Sequence, residues 1–169
     1  MSSAEEERVI EHPPTLRGKR VTLRPLAEDD LPALLRIVTE PGVREWWVGY
    51  DAESLRRDMF DGPETTPFAI ELGGELVGAI MATEELDPHY KHASIDVTVD
   101  ARHLGQGLGT DALRTLIRYL IDQRGHHRVT IDPAAANERA VAAYPCPAPA
   151  AGHSGSRLQH ADACMICAR

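Results

Sequence analysis

The sequence predicts one α/β (α+β) domain, a mixed central sheet flanked by helices, with elements in the order βααβββαβα. Three observations predict it. Between residues 19 and 144 the apolar residues switch repeatedly between a period of two and helical spacing. A glycine-rich segment at 104–109 joins a strand pattern to a helix pattern. The length of 169 residues, with 43% apolar and 26% charged residues, suits a single core.

Each element follows from local pattern. Residues 20–24 (RVTLR) alternate like a strand and stop at Pro25. Glu28, Asp29 and Asp30 are acidic residues suited to a helix start, because they oppose the partial positive charge there. Leu31, Leu34, Leu35 and Val38 then share one helical face, and Pro41-Gly42 ends it. Glu45-Trp46-Trp47 falls in the next loop, and residues 52–60 read as a second short helix. Residues 67–72 and 75–83 are strand-like and flank Gly73-Gly74, a two-residue hairpin signal. After an acidic loop (Glu84, Glu85, Asp87), Ala93, Ile95, Val97 and Val99 alternate with Ser94, Asp96, Thr98 and Asp100. That period places the two sets on opposite faces of a strand. Leu113, Leu116, Ile117, Leu120 and Ile121 give the apolar stripe of a helix that Gly125 stops. Residues 128–131 form a short strand, Asp132-Pro133 turns, and Asn137 precedes a last helix towards Tyr144.

Composition excludes several classes. A net charge of −8 argues against a nucleic-acid groove, which needs clustered Lys and Arg. It suits a cationic small substrate, since an acidic cleft concentrates amines. No apolar run is long enough to cross a bilayer, so no membrane partner is expected. The N-terminus has no cationic start with an apolar stretch behind it, so residues 1–18 read as a flexible lead. The three cysteines (Cys146, Cys164, Cys167) all lie in the last segment, which rules out a disulfide framework for the body and points to the cytoplasm. Cys164-x-x-Cys167 with Cys146, His153 and His160 fits no familiar zinc spacing, so no metal is expected. His126 and His127 read as solvated turn residues, and His103 as a surface residue near the glycine loop, its alternative being contact with a phosphate.

The strand, glycine and helix sequence carries chemistry of its own. It sets unpaired N–H groups and the positive end of a helix dipole towards a phosphate or diphosphate. Glycine lets the ligand approach the backbone. Gly105-x-Gly107-x-Gly109 is neither the G-x-G-x-x-G dinucleotide fingerprint nor a P-loop. An ordinary glycine turn capping a helix is the alternative.

Leu104-Gly-Gln-Gly-Leu-Gly109-Thr resembles the pyrophosphate loop of GNAT acetyltransferases, written Arg/Gln-x-x-Gly-x-Gly/Ala, with Leu104 read at the place where most members have Arg or Gln. The chain is most similar to the aminoglycoside 6'-N-acetyltransferases. The motifs 21–24 (VTLR), Glu45-Trp46-Trp47, Ile95-Asp96 and 130–133 (TIDP) with Asn137-x-Arg139-Ala140 and Tyr144 resemble that family in order and spacing.

The resemblance implies acetyl-CoA as co-substrate and a domain over residues 19–144. It implies that the strand before the glycine loop splays from its neighbour, so that Val97, Thr98 and Val99 face the thioester and pantetheine. Leu104, Gly105, Gln106, Gly107, Leu108, Gly109 and Thr110 would hold the diphosphate. Asn137 would bond the pantetheine amides, its alternative being a helix N-cap. Asp96 would contact the amine, as proton acceptor or as anchor, and Tyr144 would protonate the departing thiolate. Trp46 and Trp47 would wall the acceptor pocket, unless they pack in the core. Asp132 would be a second substrate carboxylate, its alternative an Asp-Pro turn. Glu84 and Glu85 could receive further ammonium groups or end a solvated hairpin.

The family continues from the tyrosine helix through Gly-Phe into two more strands. Here Pro145-Cys-Pro147 follows Tyr144, and residues 145–169 read as an atypical, disordered tail. The final strands are therefore expected to be missing, through a shifted frame or truncation, and activity weak unless a partner chain fills the gap. The expected function is direct transfer of acetyl to a small cationic amine, most readily an aminoglycoside-type sugar. The alternatives are a siderophore precursor, a protein N-terminus, or an impaired acyl-CoA-binding protein. The sequence leaves monomer and homodimer open.

Overall fold

The computed structural model describes residues 13–134, 136–143 and 164–167. Its sheet has seven strands in sequence order: β1 (Leu16–Arg17), β2 (Thr22–Pro25), β3 (Thr65–Leu72), β4 (Glu75–Glu85), β5 (His92–Val99), β6 (Arg128–Ile131) and β7 (Cys164–Cys167). All neighbours are antiparallel except β5 and β6. The helices are α1 (Leu31–Thr39), α2 (Ala52–Phe60), α3 (Leu108–Asp122) and α4 (Glu138–Ala143). The parallel β5–α3–β6 crossover lays α3 on one sheet face, while α1 and α2 cover the other.

Side-chain size decides which layer meets which face. Leu23, Phe68, Ile70, Ile80 and Ile95 join Leu113, Leu116 and Leu120 of α3 in the larger buried cluster. On the opposite face the sheet offers small residues, Ala69 and Ala79, beneath Leu34 and Val38 of α1 and Leu55 and Met59 of α2. The alternation of β3 thus serves two cores at once.

Local signals set the turns. Gly73 and Gly74 have φ of +59° and +86° and close the β3–β4 hairpin with Leu72 opposite Glu75, as the Gly-Gly pair predicts. Asp51 caps α2 by accepting from the Ser54 N–H at 2.8 Å. Asp30, before α1, takes both guanidinium nitrogens of Arg24 at 2.7 and 2.9 Å and the Ala27 N–H at 2.8 Å. The Arg24 guanidinium holds that carboxyl below its ordinary range against the opposing effect of burial.

Three differences from the sequence reading concern the ends. The first strand falls at Thr22–Pro25, and Leu16–Arg17 pairs with it, so the sheet reaches into the predicted lead. Leu16 is buried against α3's cluster, which explains why it is held. From the predicted tail, Cys164–Cys167 lies antiparallel beside β6 and covers its outer edge. The sequence did not mark this short strand, because four residues with no alternation carry little pattern. Tyr144, Cys146, His153 and His160 lie outside the described residues. Among the described residues, no helix is long and apolar enough to cross a membrane, and no cluster of His, Cys, Asp or Glu is set to hold a metal.

Gly78 fixes how closely β4 approaches β5. A Cβ there would stand 2.2 Å from the Thr98 carbonyl oxygen and 3.1 Å from the Val99 Cα. Both are backbone, so a strand must move. Gly78→Ala is expected to cost about 1–3 kcal/mol, the range for overpacking. Urea denaturation measures it, and a variant within error of the parent would show that the strands yield freely.

Candidate active site

The site begins with a strand that loses its neighbour. β5 pairs with β4 along its whole length, from His92 to Val99. With β6 it pairs only over Ala93, Ser94 and Ile95. From Asp96 onward one edge of β5 is therefore open. The Asp100 N–H donates to the Val77 carbonyl of β4 at 2.8 Å. By the strand's period of two, the N–H groups of Val97 and Val99 point the other way, into the opening.

The glycine loop closes the end of this opening. Gly105 and Gly107 have φ of +76° and +78°, where side chains other than glycine are strained. A Cβ on either would meet nothing within 4 Å, so the space above them is clear. Gly107 is the residue before α3 and supplies no side-chain cap. The first intrahelical bond runs from Asp111 N–H to the Gly107 carbonyl at 3.0 Å. The N–H groups of Leu108, Gly109 and Thr110 thus have no partner within the helix, and the positive end of its dipole lies with them.

Charged residues around the loop are turned to structural work. Asp111, in the first turn of α3, accepts from the N–H groups of Lys19, Arg20 and Val21 at 3.1, 2.7 and 3.1 Å. Burial pushes its carboxyl up, and these donors outweigh that and hold it below its ordinary value. The chain at 18–21 is thereby clamped to α3, and the Arg20 guanidinium donates to the Gln106 carbonyl. Asp100, fully buried, accepts from the Arg102 N–H at 2.9 Å and from the Arg102 and Arg36 guanidinium groups at 2.8 and 3.1 Å. The Arg102 guanidinium, with Arg36 beside it, holds this carboxyl far below the usual carboxylate range. The entry to the loop is anchored by this pair of cations.

Two concavities meet along β5. The first, about 340 Å³, runs from Val97, Thr98 and Val99 along Leu104, Gly105, Gly107, Leu108, Gly109 and Thr110. Asn137, Arg139, Ala140 and Ala143 of α4 and its approach form its other wall. The second, about 250 Å³, holds Asp96 and Asp132 together with Trp46, Trp47 and Tyr50. Trp46, Trp47, Val97, Asn137 and Ala140 belong to both. Asp96 stays open to solvent in the pocket, and desolvation by the surrounding protein, then the nearby Asp132 charge, pushes its carboxyl up. A carboxylate so placed is a better proton acceptor than an ordinary aspartate.

Several sequence-predicted residues meet here and others do not. Asp96, Asp132, both tryptophans, Asn137 and nearly all of the glycine segment line the concavities. Asn137 lines the first concavity and also caps α4, accepting from the Ala140 N–H at 3.1 Å. Trp47 packs on the second core cluster and stands edge-on to Tyr50, while Trp46 is 42% exposed.

Gln106 is absent from the lining of the first concavity, and its side chain donates to the Arg102 carbonyl at 3.2 Å. Leu104 is corrected. The pattern Arg/Gln-x-x-Gly-x-Gly is filled by Arg102, Gly105 and Gly107, so Leu104 departs from nothing. The Arg102 side chain is held by Asp100 and lies 3.7 Å from Glu75.

Glu84 is also corrected. It is 1% exposed and is bound by Arg124 at 3.0 Å and His126 at 2.6 Å, so it is closed to a substrate. His126 is buried, not solvated, for the same reason. Glu85 accepts from the Asp87 N–H at 3.0 Å and lies outside both concavities. His103, read beside the glycine loop, lines the first concavity, and Gly42, Val43 and Tyr50 line the site without having been singled out from the sequence. Tyr50 had one available clue, its place in the loop that carries the tryptophans.

Comparison with known proteins agrees with this geometry. The acetyltransferase (GNAT) family matches residues 31–145. The aminoglycoside N(6')-acetyltransferase type 1 of Klebsiella pneumoniae is 29% identical over 144 residues, covering 73% of this chain and 71% of the relative. The Serratia marcescens protein of the same name matches equally. The structure of AAC(6')-Ib with paromomycin and acetyl-CoA superposes with a TM-score of 0.65 at 27% identity, over 75% of this chain and 80% of the other. With the splayed strand, the glycine loop and the paired concavities in place, this chain belongs to the GNAT family of acetyltransferases.

Proposed function

We propose that this chain transfers the acetyl group of acetyl-CoA directly to a primary amine of a cationic small molecule, an aminoglycoside-type amino sugar above all. One observation carries the proposal: a phosphate-ready channel and a carboxylate-lined pocket meet at the unpaired edge of β5. The channel suits a long ligand with a diphosphate at one end. The free N–H groups of Leu108, Gly109 and Thr110 would receive the diphosphate, and Asn137 the pantetheine amides. The Val97 and Val99 N–H groups would hold the thioester arm and polarise its carbonyl where negative charge develops. Relatives solved with kanamycin and coenzyme A, and with ribostamycin and coenzyme A, support this choice of ligands.

In the reaction the amine nitrogen attacks the thioester carbon, the C–N bond forms and the C–S bond breaks. Asp96 takes the proton lost by the amine, directly or through water, and Asp132 adds negative charge that favours a cationic acceptor. The thiolate leaves as thiol with a proton that resemblance assigns to Tyr144. No cysteine of the body is available for a covalent relay.

The test is thiol release from acetyl-CoA with a panel of amines. Polycationic amino sugars are expected to be the best acceptors, with a KM that rises with salt. Asp96→Asn is expected to lower kcat about a hundredfold or more, the usual contribution of a general base. The parent's acid limb should stand above the ordinary aspartate range, because Asp96 loses its basic form as pH falls through a raised pKa. Coenzyme binding without thiol release from any amine would overturn the transfer reading. Unchanged kcat in Asp96→Asn would overturn the base assignment.

A further inference from the structure

Tyr50 follows the tryptophans in the loop between α1 and α2, and none of the roles above uses it. It lines the pocket that holds Asp96 and Asp132. Its ring stands edge-on to Trp47, with centroids 5.1 Å apart and planes at 66°. Its hydroxyl donates to the Asp58 carboxylate of α2 at 2.7 Å. Asp58 in turn lies 3.5 Å from Arg57, and a carboxylate offers acceptors only.

A phenol has one proton to give and lone pairs to receive. With the proton committed to Asp58, the oxygen can only accept from a molecule in the pocket. We propose that Tyr50 is a specificity-determining residue of the acceptor pocket, its oxygen receiving an N–H or O–H of the amine-bearing substrate while Asp58 holds the proton away. Asp58 is then a positioning residue acting through Tyr50. This rests on the amine reading of the pocket and deepens it, selecting acceptors that carry a second donor, ammonium or hydroxyl, beside the reacting amine.

Three further facts agree. Burial first, then the Asp58 hydrogen bond and the charges of Asp58 and Asp96, push the phenol up to about 12, so it stays protonated across the working range. The Asp96 charge acts on this phenol, which puts the two groups within electrostatic reach of each other around one pocket. The Trp47 contact holds the ring, so little rotamer freedom is left to lose on binding.

The experiment is calorimetric titration of the coenzyme-saturated full-length protein with kanamycin, and with a monoamine that has no second donor, in three forms: parent, Tyr50→Phe and Asp58→Asn. Tyr50→Phe is expected to weaken kanamycin about tenfold, the loss of one hydrogen bond to a charged donor. Monoamine and coenzyme affinities are expected to hold, which a merely structural role for Tyr50 would not allow, while the melting temperature falls only by the loss of the Asp58 hydrogen bond. Asp58→Asn keeps the ring packing and is expected to give a smaller loss, because the proton is held less firmly. Equal kanamycin affinity in Tyr50→Phe and parent overturns the proposal. An equal loss for the monoamine overturns the selectivity, and parent-like affinity in Asp58→Asn overturns the role of Asp58. A parent that binds coenzyme but neither amine overturns the amine reading itself, a different result from the other three.

Discussion

Replacing Glu84 with alanine is expected to destabilise the domain by about 3–5 kcal/mol, the cost of removing one partner from a buried charge pair. Glu84 lies next to the end of β4 and is 1% exposed. It receives Arg124 at 3.0 and 3.4 Å and His126 at 2.6 Å, and so ties the turn after α3 to the sheet. Among the described residues the buried His126 Nδ1 has no hydrogen-bond partner, so the ring depends on its Nε2 contact with Glu84. Truncation would leave that nitrogen unsatisfied as well. Thermal or urea unfolding measures the loss, and a cost below about 1 kcal/mol, typical of an exposed pair, would show that water replaces the carboxylate. The sign with pH follows. Burial pushes the Glu84 carboxyl up, but His126 and Arg124 outweigh it and hold the carboxyl below its ordinary value. Its contribution is complete above the glutamate pKa of the unfolded chain and is lost as pH falls through the lower folded value. In Glu84→Gln that acid-dependent part of the stability should disappear.

Gly107→Ala is expected to separate backbone strain from ligand exclusion. At φ +78° an alanine costs about 1–2 kcal/mol, because its Cβ crowds the following carbonyl. Its Cβ meets no protein atom within 4 Å and projects into the cleared space before α3. Acetyl-CoA affinity is therefore expected to fall by about tenfold or more, since a charge-assisted hydrogen bond to the diphosphate is lost. Gly73→Ala is the control. Gly73 also has positive φ, +59°, and an unobstructed Cβ, but it sits in the β3–β4 hairpin outside both concavities. It should show a similar loss of stability and parent-like coenzyme affinity. Equal coenzyme affinity in Gly107→Ala would remove the diphosphate from this loop.

The sequence by itself determined the order of elements, because alternation and helical stripes are local properties of the chain. Ala93, Ile95, Val97 and Val99 announce β5, Gly73-Gly74 announces the hairpin, and Leu113, Leu116 and Leu120 announce α3. The glycine loop was legible for the same reason, since the need for positive φ is written in residue type. Pairing was not legible. That β6 leaves β5 after Ile95, and so opens the N–H groups of Val97 and Val99, depends on a contact between segments more than thirty residues apart. Only the folded chain decides it. The fate of charges was equally hidden. Glu84 and Asp96 look alike in sequence, each an acidic residue in or beside a strand. The fold seals one against Arg124 and His126 and leaves the other facing a pocket with Asp132. Charge fixes what an acidic side chain can do, but the partners brought to it from distant segments fix whether it is spent on stability or left for a ligand.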